Sequence, residues 1–85
     1  MFKKDVEPKE LKEALEARRI YYIETIHPYG GARFVRVSGK DRGYVRASIQ
    51  EGDTKYYVRE SGVIYEDLTL DEVLELVERI DPLRI

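Results

Sequence analysis

Cysteine, tryptophan and asparagine are absent from this chain of 85 residues, and methionine, histidine and glutamine occur once each. Without cysteine there is no disulfide framework and no thiolate metal site, which fits a reducing compartment, the cytoplasm for a natural protein. The lone histidine, His27, has no companions at metal-ligand or catalytic spacing. No apolar run approaches the roughly 18 residues that span a bilayer. The start, Met1-Phe2-Lys3-Lys4-Asp5, is charged at once and lacks the apolar core of a signal peptide. Neither sign of charge dominates. Fifteen Lys and Arg against 17 Asp and Glu leave a net charge of −2, so there is no global pull towards nucleic acid or an anionic membrane.

What the chain does contain is charge, at 38% of residues, and enough apolar side chains, at 42%, to build one core in one domain. A high charge content with few thermolabile residues is a hyperthermophile bias. It is equally the habit of designed sequences, which fill surfaces with strong helix and strand formers. The two origins share this composition.

Residues 8–19 read as a helix with Pro8 in its first turn and a narrow apolar stripe of Leu11, Ala14 and Leu15. Residues 68–80 read as a stronger one. Thr69 and Glu72 form a capping box, Leu68 can staple onto Val73, and Leu70, Val73, Leu74, Val77 and Ile80 make a broad stripe before Asp81-Pro82 stops it. Between them lie five β-rich runs, near 20–27, 32–38, 44–50, 55–60 and 63–67, each bounded by short turn sequences. The expected fold is α+β: an N-terminal helix, a five-stranded antiparallel meander, and a C-terminal helix, with both helices on one sheet face.

Matching apolar residues across the turns suggests a register. Ile23 would face Val35, Tyr21 would face Val37, Val37 would face Val45, Ala47 would face Val58, and Val58 would face Tyr65. Tyr21, Ile23, Val35, Val37, Val45, Ala47, Ile49, Tyr56, Val58, Val63 and Tyr65 would then lie under the helices. Arg36, Arg46 and Arg59 would form one cross-strand row on the open face, flanked by Glu24 and Glu66. Like charges directly opposite destabilise a sheet, so such a row calls for acidic neighbours or an anionic partner. Phe34, Tyr44 and Tyr57 lie on the same open face. Guanidinium forks suit phosphate and carboxylate, and exposed rings give bases a stacking platform. Arg stems laid over rings also make an ordinary solvated surface.

No nucleophile–base pair, carboxylate pair, calcium loop or phosphate-binding helix start can be assembled. No enzymatic activity, cofactor or metal is expected. Tyr29, at the tip of the turn from His27 to Gly31, is a second candidate contact, for a protein partner.

The runs Arg33-Phe-Val-Arg-Val-Ser38, Lys55-Tyr-Tyr-Val-Arg-Glu60 and Thr69-Leu-Asp-Glu-Val-Leu74 together resemble part of an SH2 domain. The resemblance implies that Arg36 and Ser38 would hold phosphotyrosine. In that family a helix stands immediately before the arginine strand, whereas here a strand intervenes, and Lys55 stands where the family has its pocket histidine.

Three functional expectations follow. The first is a small stable scaffold or binding module without intrinsic chemistry, such as a designed protein. The second is an anion-binding module for nucleic acid, phosphate or phosphopeptide using Arg36, Arg46, Arg59, Phe34, Tyr44 and Tyr57. The third is a protein-interaction regulator from a thermophile or virus. All three are compatible with a monomer or weak homodimer away from membranes.

Overall fold

A computed structural model describes residues 8–26, 33–40, 45–52 and 55–85, with Val45 described by its backbone alone. Helix α1 (Lys9–Ala17) leads into strands β1 (Tyr22–Ile26), β2 (Arg33–Ser38), β3 (Val45–Glu51), β4 (Tyr56–Glu60) and β5 (Val63–Leu68), and helix α2 (Leu70–Arg79) follows. The strands form one antiparallel sheet in the order β1-β2-β3-β4-β5. Ser61 and Gly62, at φ 51° and 83°, join β4 to β5. Positive φ at both central residues is the signature of the tight turn whose twist matches a hairpin. The expected α+β architecture is the observed one.

Both helices cover the same face. Val35, Val37, Ala47, Ile49 and Val58 share a side through the pairings Val37↔Ala47, Val35↔Ile49 and Ile49↔Val58. They form one buried cluster with Leu11 and Leu15 of α1 and Val73, Leu74, Leu76 and Val77 of α2. The capping box of α2 is formed: the Glu72 amide donates to Thr69 Oγ1 at 3.2 Å, and the Thr69 amide donates to the Glu72 carboxylate at 2.8 Å. Helix α1 ends differently. The Ile20 amide donates to the Leu15 carbonyl at 2.9 Å and the Arg19 amide to the Glu16 carbonyl at 3.0 Å, with Arg19 at φ 58°. This is a Schellman closure, and its usual apolar contact is supplied by Ile20 and Leu15, both fully buried.

That closure sets the phase of β1 and corrects the register expected from apolar matching. Ile20 points into the core, so Tyr22 and Glu24, at steps of two, follow it. The pairs are Tyr22↔Val37, Ile23↔Arg36 and Glu24↔Val35, one residue away from the expected match. Tyr21 and Ile23 are therefore exposed rather than buried, and so is Val63. Glu24 comes beneath α1, where Lys12 reaches it at 3.1 Å and Arg33 at 3.7 Å. The ring of Tyr22 packs on the core and its hydroxyl donates to Glu16. The second and third hairpins are displaced by two residues, which preserves the faces: Val37 meets Ala47, and Ile49 meets Val58. The fourth keeps the expected Val58↔Tyr65 pair.

Two irregularities shape the sheet. Between Val37 and Ser38 the register advances by one residue on β2 but two on β3, so Arg46 is an inserted residue. Between Tyr56 and Val58 the extra length falls on β5, where Asp67 takes φ 57°. Insertions of this kind bend a strand and re-aim a side chain. After α2 the chain crosses back at the other end. Pro82 bridges Gly39, Arg84 bridges Ile20, and the Leu83 amide donates to the Ser38 carbonyl at 2.9 Å. This strip had no counterpart among the sequence expectations.

Tyr56 lies on the helix-covered side, and burial, followed by the nearby Glu51 and Glu10 charges, pushes its phenol from 10.0 up to about 12. The folded form thus holds the proton more tightly than the unfolded chain. Its contribution is complete below pH 10 and is lost as pH rises towards 12. The wild-type chain is expected to lose about 1–2 kcal/mol over that interval in excess of Tyr56→Phe. Urea unfolding of both chains at pH 9 and pH 11.5 checks this; parallel losses would refute it.

Candidate anion-binding face

The uncovered side of the sheet is built from residues that alternate with the core set. One row across it reads Ile23–Arg36–Ser48–Arg59–Ile64 through the pairs Ile23↔Arg36, Arg36↔Ser48, Ser48↔Arg59 and Arg59↔Ile64. The next reads Thr25–Phe34–Gln50–Tyr57. The expected triple row of arginines is not formed. Arg36 and Arg59 stand on either side of Ser48, and Arg46 lies one step along β3 at the inserted position. The hydroxyl between the two guanidinium stems removes the direct like-charge opposition that a triple row would carry. All three arginines nevertheless share the open face and are exposed.

Two shallow hollows occupy this face. The first, about 420 Å³, lies among Phe34, Ser48, Gln50, Tyr57, Arg59 and Ile64, with Glu66 at its β5 end. The second, about 270 Å³, is lined by Arg46, Ala47, Ser48, Arg59 and the Ser61-Gly62 turn. They meet at Ser48 and Arg59. Tyr57 is seated against the backbone at Gly52, where an added Cβ would come within 2.7 Å of the ring and 3.1 Å of the Lys55 carbonyl. Glycine at 52 is what lets the ring lie there.

The charge balance of the face differs from the expectation. Glu24 has turned away beneath α1, which leaves Glu66 as the carboxylate beside three arginines on the described strands. Among the described residues no ion pair engages Arg36, Arg46 or Arg59. Acidic residues gather instead on the far side of the molecule, at the exposed Glu10, Glu13 and Glu16 of α1 and Asp71, Glu72, Glu75 and Glu78 of α2. A chain with a net charge of −2 thus carries a locally basic face.

The structure brings together Arg36, Arg46, Arg59, Phe34 and Tyr57. Tyr44, His27 and Tyr29 lie outside the described residues. Ser48, Gln50 and Ile64, which are not among the residues singled out from the sequence, also line the first hollow. Ser48 and Gln50 share parity with Arg46 along β3, and Ile64 pairs with Arg59.

Comparison with protein-family models, with curated proteins and with solved structures finds no match to this chain. The partial likeness to an SH2 domain also fails at its own site. Ser38, which would join Arg36 around phosphotyrosine, is only 2% exposed, and its carbonyl is taken up by Leu83. Among the described residues no helix is long and apolar enough to cross a membrane.

Proposed function

We propose that this chain is a small, non-enzymatic binding module that takes an anionic ligand on its open sheet face. The observation that carries this reading is the grouping of three exposed arginines on one face, none of them ion-paired among the described residues, with Arg46 and Arg59 lining two connected hollows. An isolated guanidinium on a surface is ordinary. Three on one face, with the acidic residues of α2 on the other, create a field that concentrates anions on one side of the molecule. Guanidinium forks then bind phosphate or carboxylate bidentately.

Thermal melting at low salt against inorganic polyphosphate, nucleotides and phosphopeptides tests the reading, because a ligand that binds only the folded form raises Tm. At least one phosphate-bearing ligand is expected to raise Tm, and Arg59→Glu is expected to abolish the rise. A flat response to every anion would instead support a scaffold without a ligand, the designed-protein expectation. A partner captured in high salt and insensitive to Arg59→Glu would support a protein-interaction role.

A further inference from the structure

We infer that the anion is single-stranded nucleic acid, an inference that rests on the anion-binding reading above. What points to it is the division of the face into two parallel lanes. The lane Phe34–Gln50–Tyr57 offers two rings with an amide between them, and the lane Arg36–Ser48–Arg59 offers two guanidinium groups with a hydroxyl between them. The lanes are two residues apart along each strand, or roughly 6.7 Å. A nucleotide joins a planar base to a phosphate through its sugar, so it can set the base in one lane and the phosphate in the other. The hollow of about 420 Å³ joins the two lanes, with Phe34, Gln50 and Tyr57 of the first and Ser48 and Arg59 of the second in its lining, and the hollow of about 270 Å³ extends the second towards Arg46.

Phe34 and Tyr57 stand two strands apart, roughly 9.6 Å at the backbone. Gln50 of β3 stands between their backbones, so each ring belongs to its own strand and offers a position for one of two successive bases. Gln50 between them can hydrogen-bond a base edge. Glu66, at the β5 end of the ring lane, repels phosphate from that lane and can accept from an exocyclic amine. A duplex keeps its bases stacked inside and offers them nothing to rest on. A phosphopeptide would engage the arginines and leave at least one ring uncovered. The acidic outer surface of α2, with Asp71, Glu72, Glu75 and Glu78 exposed, turns a polyanion away from that side.

The experiment is fluorescence anisotropy with labelled oligothymidylate and oligouridylate of about twelve nucleotides, with inorganic polyphosphate as the base-free probe. Binding of either oligonucleotide is expected, and comparison of the two separates DNA from RNA preference. Affinity should fall roughly 20-fold between 50 and 200 mM salt for three phosphate contacts. Tyr57→Leu and Phe34→Leu should each weaken binding at least about fivefold, while Tyr57→Phe stays within about twofold because the π-face remains. Should a leucine variant fail to fold, tyrosine emission of the wild-type chain gives the same answer, since tryptophan is absent. Base stacking quenches that emission, whereas polyphosphate leaves it unchanged. If polyphosphate or a phosphopeptide binds but the oligonucleotides do not, the anion reading survives and the nucleic-acid inference is overturned. The same holds if oligonucleotide binding ignores both leucine variants. If no anion binds at low salt, both readings fall.

Discussion

Replacing Ile20 with alanine is expected to cost about 3 kcal/mol, whereas replacing Ile23 with alanine is expected to cost less than about 1 kcal/mol. The two isoleucines lie three residues apart in a run that reads as one strand, and alternation alone cannot rank them. Ile20 is fully buried and Ile23 is 45% exposed. Truncating Ile20 removes about three methylene-sized groups from the core, leaves a cavity against Leu15, and strips the apolar contact from the end of α1. Truncating Ile23 removes a side chain that water already reaches, opposite Arg36 on the open face. Urea midpoints of the two variants decide the matter. Equal losses, or a larger loss at Ile23, would mean that β1 presents its other side to the helices. Glu24 would then return to the arginine face, and the charge argument for an anion site would collapse with it.

A chain ending at Asp81 is expected to be less stable by on the order of 3 kcal/mol, a fall in Tm of about 12 °C or more. The four residues removed look like a frayed terminus in the sequence, but three of their backbone groups are hydrogen-bonded to the rest of the chain. Leu83 accepts from the Tyr21 amide at 2.8 Å and donates to Ser38 at 2.9 Å, and the Ile85 amide donates to Arg19 at 2.8 Å. Pro82 is buried beside Gly39. Cutting the strip uncovers Ile20 and leaves the amide of Tyr21 and the carbonyl of Ser38 without protein partners. The freed residues regain conformational entropy, which offsets part of the loss. Arg84→Ala, by comparison, should cost under about 1 kcal/mol. Its guanidinium, paired with Glu78 and donating to the Arg18 carbonyl, is 45% exposed at the side chain. Differential scanning calorimetry of the two chains separates the backbone strip from the ion pair. A truncated chain with an unchanged Tm would show that the strip contributes nothing.

These two results bear on what could be read from residues alone. The capping box at Thr69 and Glu72, the tight Ser61-Gly62 turn and the amphipathic stripe of α2 depend on neighbours within a few positions. Local sequence specifies such features, and they are found where it put them. The meander order follows from short connections, which leave a chain little choice of neighbour. The five-residue set Arg36, Arg46, Arg59, Phe34 and Tyr57 was also legible as one face, because a displacement of two residues keeps parity. The hollows were not, since they depend on where Arg46 is inserted and on how closely Tyr57 can approach Gly52.

The side of β1 could not be read in the same way. Its sequence, Tyr-Ile-Glu-Thr-Ile, offers apolar residues to both faces, and apolar matching favours the alternative with Ile23 inside. What chooses is a contact made at a distance from the strand: the Schellman closure of α1 turns Ile20 inward, and the pleat carries that choice to Tyr22 and Glu24. Half-buried charge on Glu24 is tolerable because Lys12 and Arg33 meet it there. Local propensity and turn chemistry thus settled which elements form and in what order. Tertiary packing settled which side of the edge strand faces water, and so how much negative charge is left beside the arginines. The reason is that a period of two has two equivalent phases, and only a contact from outside the strand can select between them.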